Sequence, residues 1–390
     1  MKAVDLHNPD SIELTRHLVS FDTVSRGTNL PLIEFVENWL RDLGVDSVRI
    51  HSDDGRKANL IATVGPMVEG GIVLSGHTDV VPVDGQAWSS DPFTPWIEHG
   101  RLYGRGTCDM KAFIGAVLAA IPKMQRLKRP VHLALSYDEE IGCLGAPRMI
   151  EKLKDLVPPP RAVVVGEPTS MQSVTGHKGL VTLQTTVIGY ETHSSQTNRG
   201  VSAVMTAARL VNYLDGLTAH LHAESLSDSY EPPYSTINVG VIRGGTAINI
   251  VARECEFAWD IRNVYGSDGA SILAQFDAFC RDEVLPEMRR RHAQTSIRTE
   301  ILSTAPAFEV NPDSPAVELA QRLSGIPSTR KVSFAAEAGL FAAAAMPTVI
   351  CGPGSIDQAH QPNEYISLEQ IAAVDRFLEN VIHFQSQVAV

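Results

Sequence analysis

The chain has 390 residues, more than one ordinary hydrophobic core holds, so its length favours two domains. Apolar residues make up 44% of it and charged residues 20%, as in soluble globular proteins. A net charge of −12 with no basic run argues against nucleic acid as a partner, because phosphates require clusters of Lys and Arg. The same acidity is also explained by solubility alone.

Membrane insertion and export are not predicted. The longest apolar stretch, Ala338–Cys351, is interrupted by Pro347 and is too short to span a bilayer. The first residues contain no apolar segment typical of a signal peptide. The five cysteines are scattered and form no C-x-x-C pair, so neither a disulfide framework nor a thiolate zinc site is indicated. We therefore expect a cytoplasmic protein.

The first part of the chain alternates predicted helices with predicted strands. Apolar residues at helical spacing between Leu32 and Leu43 predict a helix that Gly44 ends. Short apolar runs predict three buried strands and longer ones predict two helices between them: Gly71–Ser75, Phe113–Leu127, Val131–Tyr137, Leu144–Leu153 and Ala162–Val165. This alternation is typical of the α/β class, with a mixed, largely parallel sheet flanked by helices.

The middle of the chain has a different pattern. Its predicted elements follow a β-α-β-β-α order: Leu180–Ile188, Ser202–Leu214, Ser235–Ile242, Ile250–Ile261 and Ile272–Leu285. That order predicts a small α+β domain inserted into the first one. After Ser296 the α/β pattern is expected to resume with a helix at Pro315–Leu323, a strand at Thr348–Cys351 and a helix at Leu368–Phe384. The predicted domains are residues 1–177 with 291–390, and residues 178–290.

Polar clusters follow each of the three buried strands of the first domain. The clusters contain His77 and Asp79, then Asp138-Glu139-Glu140, then Glu167, and a fourth cluster with Asp109 precedes a helix. In open α/β sheets, ligands bind beyond the carboxyl ends of the strands, so these side chains are expected at one edge. Carboxylates that crowd together are tolerated mainly when a cation binds them. A solvated acidic rim is the alternative.

Histidine and carboxylate ligands without cysteine suit Zn²⁺, Co²⁺ or Mn²⁺. Two metal ions close together need a bridging carboxylate, and a free carboxylate beside them can act as a general base. Glu139 and Glu140 are adjacent, so in a strand they point to opposite sides and serve different roles. His77 and Asp79 point to the same side, so the Asp79 carboxylate is expected to accept the His77 ring N–H.

Five motifs carry a resemblance to a known family. They are GHTDVVP, GRGTCDMK, SYDEEIGCLG, GEPT and GPGSIDQAHQPNEY. In this order and at these spacings they resemble the M20 metallopeptidase and amidohydrolase family, over about Ser20 to Ile366. The resemblance implies a zinc-peptidase-like catalytic domain with an inserted ferredoxin-like lid that also forms a homodimer. It implies two divalent metal ions, Zn²⁺ first and Co²⁺ as the alternative, and a small-molecule N-acyl amino acid substrate.

By the same resemblance, Asp109 bridges both metal ions. His77 and Glu167 would complete one site, and Glu140 and His360 the other. Glu139 would be the general base, and Asp79 would orient His77. The family often has a cis peptide bond after the bridging aspartate, here Asp109-Met110.

The resemblance also assigns roles in the lid. His193 of the partner subunit would stabilise the oxyanion at the scissile carbonyl, and Asn249 and Arg262 would bind the substrate carboxylate. Gly352 and Gly354 would let the backbone approach the substrate, or else form a plain turn. An exposed strand-end histidine and a surface ion pair are the alternatives for His193 and Arg262.

Two alternatives remain open for the function. One is a sibling of the same family, such as a desuccinylase, another aminoacylase or a dipeptidase. The other is a binding protein on the same fold that has lost catalysis. That protein would lack a ligand or the base, whereas this chain retains all of them.

Overall fold

The computed structural model describes residues 9–224, 229–267 and 269–387. Its strands are β1 Ser47–His51, β2 Ala58–Val64, β3 Ile72–His77, β4 Trp96–Glu98, β5 Arg101–Tyr103, β6 Val131–Ser136, β7 Ala162–Val165, β8 Ser173–His177, β9 Leu180–Ile188, β10 Thr236–Gly244, β11 Glu254–Arg262, β12 Ser296–Ala305, β13 Phe308–Glu309, β14 Thr329–Val332, β15 Thr348–Ile350 and β16 Tyr365–Ser367. Its α-helices are α1 Ser11–Val19, α2 Leu30–Asp42, α3 Ala112–Ala120, α4 Ala146–Leu156, α5 Ala203–Glu224, α6 Gly269–Phe279, α7 Leu285–Arg291, α8 Pro315–Ser324, α9 Ala338–Ala343 and α10 Leu368–Ser386.

The chain forms two compact units. The first comprises the chain up to Gly176, Glu309–Arg330 and the chain from Ala336 onward. The second comprises His177–Phe308 and Lys331–Ala335. Within the described ranges, no helix combines the length and apolar character that crossing a membrane requires.

A nine-stranded mixed sheet organises the first unit. Its order is β1-β2-β6-β3-β7-β15-β8-β13, and β14 pairs with β8. The four neighbours β6, β3, β7 and β15 are parallel, whereas β1 and β2 pair antiparallel. Every residue of β3, β6 and β7 is buried, as expected for strands covered on both faces. The predicted α/β class with a largely parallel sheet is confirmed.

Helices pack against this sheet and form the hydrophobic core with it. Eight of the nine residues of α3 are buried, because its sequence AFIGAVLAA is apolar on all sides. One continuous cluster joins α3 to α1, α2, α10 and the strands, and it includes Leu14, Phe113, Leu74 and Phe377. The predicted helix from Phe113 to Leu127 is too long: α3 ends at Ala120, just before Pro122.

The second unit has a β-α-β-β-α-β order. Its four-stranded antiparallel sheet runs β10-β11-β9-β12, the strand order of a ferredoxin-like domain. The predicted end of the inserted domain at residue 290 is too early. β12 pairs with β9 along its whole length, from Ser296 with Ile188 to Ala305 with Leu180, so this sheet includes the segment that the sequence assigned to the α/β domain.

Candidate metal centre

Three adjacent parallel strands bring acidic and histidine side chains to one edge of the large sheet. β3 lies between β6 and β7, and the register pairs His77 with Ser136 and Ser75 with Val165. Glu140 follows the end of β6, and Glu167 follows the end of β7. Because parallel strands end at the same edge, these side chains converge there.

Asp109 lies between the two histidines. His77 Nε2 is 2.9 Å from Asp109 Oδ1, and His360 Nε2 is 3.3 Å from Asp109 Oδ2. His360 Nε2 also lies 3.1 Å from Glu140 Oε2, and His77 Nε2 lies 3.8 Å from Glu167 Oε1. Two groups of three potential ligands result, and Asp109 belongs to both. In each group the ligand atoms lie within 4.8 Å of one another.

The acidic side chains of this cluster are buried close to one another. Burial and the nearby charge of Asp109 raise the pKa of Glu140 to about 7. The same two causes raise the pKa of Glu167 well above its usual value. Glu140 Oε1 and Glu167 Oε1 are buried and accept no hydrogen bond from the described residues. Buried, unpaired carboxylate oxygens beside imidazole nitrogens are the donor set that a divalent metal ion satisfies.

The loops that carry the ligands have unusual backbone geometry. The peptide bond between Asp109 and Met110 is cis, as the family resemblance implies. His360 adopts a left-handed backbone with φ of 60°, and Asp138, two residues before Glu140, has φ of 57°. Such conformations are uncommon for residues other than glycine and concentrate at functional sites.

His77 is oriented by the backbone of Asp79 rather than by its carboxylate. Its Nδ1 lies 2.9 Å from the Asp79 carbonyl oxygen but 3.8 Å from Oδ1, which corrects the sequence prediction. The contact remains suitable for a metal ligand: Nδ1–H donates to the carbonyl, which leaves Nε2 as the ring nitrogen that would bind a metal ion beside Asp109.

The Asp79 carboxylate has a different task. It accepts hydrogen bonds from the backbone N–H groups of Glu139 at 3.1 Å and of Glu140 at 3.3 Å. A third hydrogen bond comes from the buried Ser25 hydroxyl at 2.7 Å. Asp79 therefore fixes the turn that presents both glutamates, so the two side chains keep separate positions.

Glu139 belongs to neither group of potential metal ligands. Burial and then the charge of Glu167 raise the pKa of the Glu139 carboxyl well above its usual value. The Cys143 thiol donates to Glu139 Oε1 at 3.5 Å. A carboxylate that is next to the ligands but not among them matches the position that a general base requires.

Comparison with known proteins places this arrangement in a family. The sequence pattern of the peptidase family M20/M25/M40 matches residues 73–383. This chain belongs to that family. It is 34% identical over 385 residues to an acetylornithine deacetylase of Salmonella typhimurium, covering 96% of this chain and 97% of that protein. The prediction of an M20 hydrolase that acts on amide bonds is confirmed.

Solved structures agree on the fold. The chain is similar to human carnosine dipeptidase 1, with a TM-score of 0.77, 16% identity and coverage of 99% and 98% of the two chains. It is also similar to an M20 family metallo-carboxypeptidase from Sulfolobus solfataricus, with a TM-score of 0.75, 19% identity and coverage of 97% and 99%. Together with the two groups of potential ligands, family membership supports a metal-dependent hydrolase.

The residues that the resemblance assigns to a lid lie in the second unit. His193 is exposed, its Nδ1 lies 2.8 Å from Ser195 Oγ, and its backbone bridges to Ile250. Asn249, next to Ile250, is exposed as well, and its carbonyl accepts the Ser194 N–H at 2.9 Å. Arg262 ends β11, with its Nε 3.7 Å from Asp260 Oδ1. The roles of His193, Asn249 and Arg262 toward a substrate stay predictions.

The two glycines of the last motif are explained by packing. A Cβ on Gly352 would lie 2.1 Å from the Gly166 carbonyl oxygen, and a Cβ on Gly354 would lie 2.5 Å from Cys108 Sγ. Gly354 also has φ of 84°, a backbone angle that residues with a side chain rarely adopt. Close packing within the protein therefore explains why glycine occupies both positions. That the backbone at Gly352 and Gly354 approaches a substrate stays a prediction.

Sequence reasoning missed several residues that hold the ligands in place. Ser25 has no motif that identifies it. Glu364 and Arg105 lie inside two of the quoted motifs, and both are buried charges: Glu364 accepts the Cys108 N–H beside Asp109, and Arg105 pairs with Glu364. The sequence signal for them was a charged residue among uncharged neighbours, Arg105 in GRG and Glu364 in QPNEY.

Proposed function

We propose that this chain is a cytoplasmic, homodimeric amidohydrolase that converts N2-acetyl-L-ornithine and water into L-ornithine and acetate. The observation that carries the proposal is the pair of ligand groups that share Asp109, with Glu139 beside them. Similarity to an acetylornithine deacetylase along nearly the whole chain supports the substrate. The sequences of four motifs also favour the acetylornithine deacetylase branch of the family: GTCDMK, EEIGCLG, GHKG and GPGSIDQAHQPNEYI.

Five residues would hold two divalent metal ions: His77, Glu167, Glu140 and His360, with Asp109 between them. When bound, zinc or cobalt would supply a water of lowered pKa and polarisation of the acetyl carbonyl. Zinc is the preferred ion, because histidine and carboxylate ligands without cysteine are typical of hydrolytic zinc sites.

The chain's own residues perform the proton transfers. Glu139 takes a proton from the attacking water, whose oxygen forms a bond to the acetyl carbon. As the C–N bond breaks, Glu139 delivers that proton to the leaving amine, so one residue serves as base and then as acid. The buried surroundings that raise the pKa of Glu139 favour its holding the proton between the two steps.

Substrate orientation is assigned to the lid. The partner subunit's His193 donates to the oxygen that becomes negative when water attacks. Arg262 and Asn249 bind the α-carboxylate, since a guanidinium contacts both oxygens of a carboxylate.

A comparison of substrates tests this proposal. We expect kcat/KM for N2-acetyl-L-ornithine to exceed that for N-succinyl-diaminopimelate and for a dipeptide by about a hundredfold or more, which corresponds to about 3 kcal/mol. A preference for the succinyl compound would identify a desuccinylase, and a preference for the dipeptide would identify a dipeptidase.

Chelation and one variant test the chemistry. Chelator treatment should abolish activity, and Zn²⁺ or Co²⁺ should restore it. Glu139→Gln should lower kcat by about 10²–10⁴ while the metal content per chain stays as in the wild type, because the base is lost and the ligands are kept. Activity that survives chelation would remove metal dependence from the mechanism.

A further inference from the structure

A fully buried ion pair, Arg105 with Glu364, lies next to the segment that carries Asp109. Arg105 and Glu364 side chains are each only 1% exposed, and Arg105 Nη1 lies 2.7 Å from Glu364 Oε2. Neither residue belongs to the two groups of potential metal ligands. Burying two charges is costly unless further hydrogen bonds satisfy them, so their remaining contacts indicate what the pair supports.

Glu364 holds the backbone that presents Asp109. Its Oε1 accepts the N–H groups of Cys108 at 2.8 Å and of Asp109 at 3.1 Å, and its Oε2 accepts the N–H of Gly106 at 3.1 Å. Three hydrogen bonds to one carboxylate fix the direction of this turn. The position of the Asp109 carboxylate therefore depends on Glu364.

Arg105 extends the same network to His360 through Gln86. Arg105 Nη2 donates to Gln86 Oε1 at 2.5 Å, and Gln86 Nε2 donates to the His360 carbonyl oxygen at 2.9 Å. The Trp88 indole N–H also donates to Gln86 Oε1, at 3.0 Å, which fixes the orientation of the amide. His360 itself is exposed and has a left-handed backbone, so its carbonyl contact with Gln86 restrains it.

We infer that Arg105, Glu364 and Gln86 form a positioning network that sets the metal affinity of the centre. The inference rests on the ligand assignments of the proposed function. Gln86 supports His360, which belongs to one ligand group only, whereas Glu364 supports Asp109, which belongs to both. The network thus has two arms with different consequences. All three are positioning residues, because none is placed to touch the metal ions or the reacting atoms.

Zinc titration into chelator-treated protein distinguishes the two arms. The wild type should bind two ions per chain. Gln86→Leu, which keeps size and removes the hydrogen bonds, should weaken one of them about 10–100-fold and leave the other unchanged. Glu364→Gln should weaken both, because Asp109 contributes to both groups. Calorimetry and metal content per chain are the readouts, and both are independent of catalysis.

A matched control separates positioning from general destabilisation. Gln172 also donates from its side-chain amide, to Ser328 Oγ at 2.9 Å, but lies outside the network. Gln172→Leu should bind two ions with wild-type affinity. Gln86 is half-buried, so its variant is expected to fold even if Glu364→Gln does not. Circular dichroism and Tm of the metal-free proteins check the folding of each variant.

The outcomes are distinct. Selective weakening of one ion by Gln86→Leu supports the inference. Unchanged affinities, or equal weakening of both ions in that variant, overturn it. A wild-type protein that binds fewer than two ions would overturn the ligand assignments of the proposed function, and the inference with them.

Discussion

The hydroxyl of Ser25 is one of three donors to the Asp79 carboxylate, and the other two are the backbone N–H groups of Glu139 and Glu140. Ser25→Ala should therefore loosen Asp79 and misplace Glu139. A hydrogen bond to a charged group contributes about 1.5–3 kcal/mol, so we expect kcat to fall about 10–100-fold with little change in KM. Steady-state kinetics with N2-acetyl-L-ornithine measures both parameters.

Ser11 provides the control for this substitution. Its buried hydroxyl also donates to an aspartate, Asp375, but that pair joins α1 to α10 rather than holding the turn that presents Glu139 and Glu140. Ser11→Ala should keep wild-type kcat and KM. If Ser25→Ala also keeps wild-type kcat, or changes only KM, Asp79 does not position Glu139 through this contact.

His132 links the stability of the sheet to pH. Burial lowers the pKa of His132 to about 4 from an ordinary value near 6.5, and its Nδ1 pairs with Thr63 Oγ1 at 2.9 Å. Between these values the unfolded chain takes up a proton and the folded chain does not. Stability is therefore kept above about pH 6.5 and lost as the pH falls toward 4, by up to about 3 kcal/mol.

Replacing His132 should remove this share of the acid sensitivity. Between pH 7.5 and pH 5, the free energy of unfolding of the wild type should fall by about 2 kcal/mol more than that of His132→Gln, measured by urea denaturation. His51→Gln, at an exposed histidine, should follow the wild type. Equal pH dependence in His132→Gln and the wild type would show that His132 is protonated alike in the folded and unfolded chains.

Residue types and strand ends predicted that histidine and acidic side chains meet at one edge of the sheet, because parallel strands end there. The choice of His77, Glu140 and Glu167 as ligands among them, and that of His360, came from the family resemblance. The partner of the Asp79 carboxylate was not predictable, because it depends on backbone N–H groups in a turn whose conformation the sequence does not specify. Ser25 was missed for the same reason, since its partner lies 54 residues away.

At the level of elements, the backbone at Gly352 passes close to the backbone of Gly166 and Glu167. This close approach sets the position of the segment that carries Glu167. A Cβ at Gly352 would meet the backbone oxygens of Gly166 at 2.1 Å and of Glu167 at 2.6 Å, and backbone cannot give way as a side chain can. Gly352→Ala should destabilise the protein by about 3 kcal/mol, a cost at the upper end for overpacking. Chemical denaturation measures this difference.

Gly216→Ala is the matched substitution, and it is expected to raise the stability of the protein rather than lower it. It lies in α5, and a Cβ added there would have no neighbouring atom within 4 Å, so Gly216→Ala meets no obstacle. Alanine should stabilise the helix there by about 0.5–1 kcal/mol. A Gly352→Ala protein as stable as the wild type would show that the close approach at Gly352 relaxes easily.

An apolar run predicted the limits of the buried strand β7, and alternation predicted those of the half-buried strand β9. The missed strands include β2, although five of its seven residues are buried, and the half-exposed β12. β12 has the sequence SIRTEILSTA, and most of its residues are not buried, so no apolar run marks it. Its place in the second unit follows from pairing with β9, a long-range contact that local sequence does not encode.

For the whole molecule, the proposed role of His193 across the dimer has a direct consequence. Mixing Glu139→Ala with His193→Ala protein under subunit exchange creates dimers with one intact site. Random pairing makes half of the dimers mixed, so activity should recover to about a quarter of the wild type. Each variant alone should stay nearly inactive.

Subunit exchange itself must be shown, by mass spectrometry of tagged chains. If exchange occurs and activity does not return, His193 acts within its own chain or not at all. A monomeric wild-type protein in solution would contradict the homodimer and this role together.

Five side chains are proposed to hold two metal ions around Asp109, and anomalous diffraction from zinc-loaded crystals would locate those ions. We expect two anomalous peaks per chain, both within bonding distance of the Asp109 carboxylate. His77 and Glu167 should complete the coordination of one, and Glu140 and His360 that of the other. A single peak, or two peaks that Asp109 does not join, would contradict this arrangement.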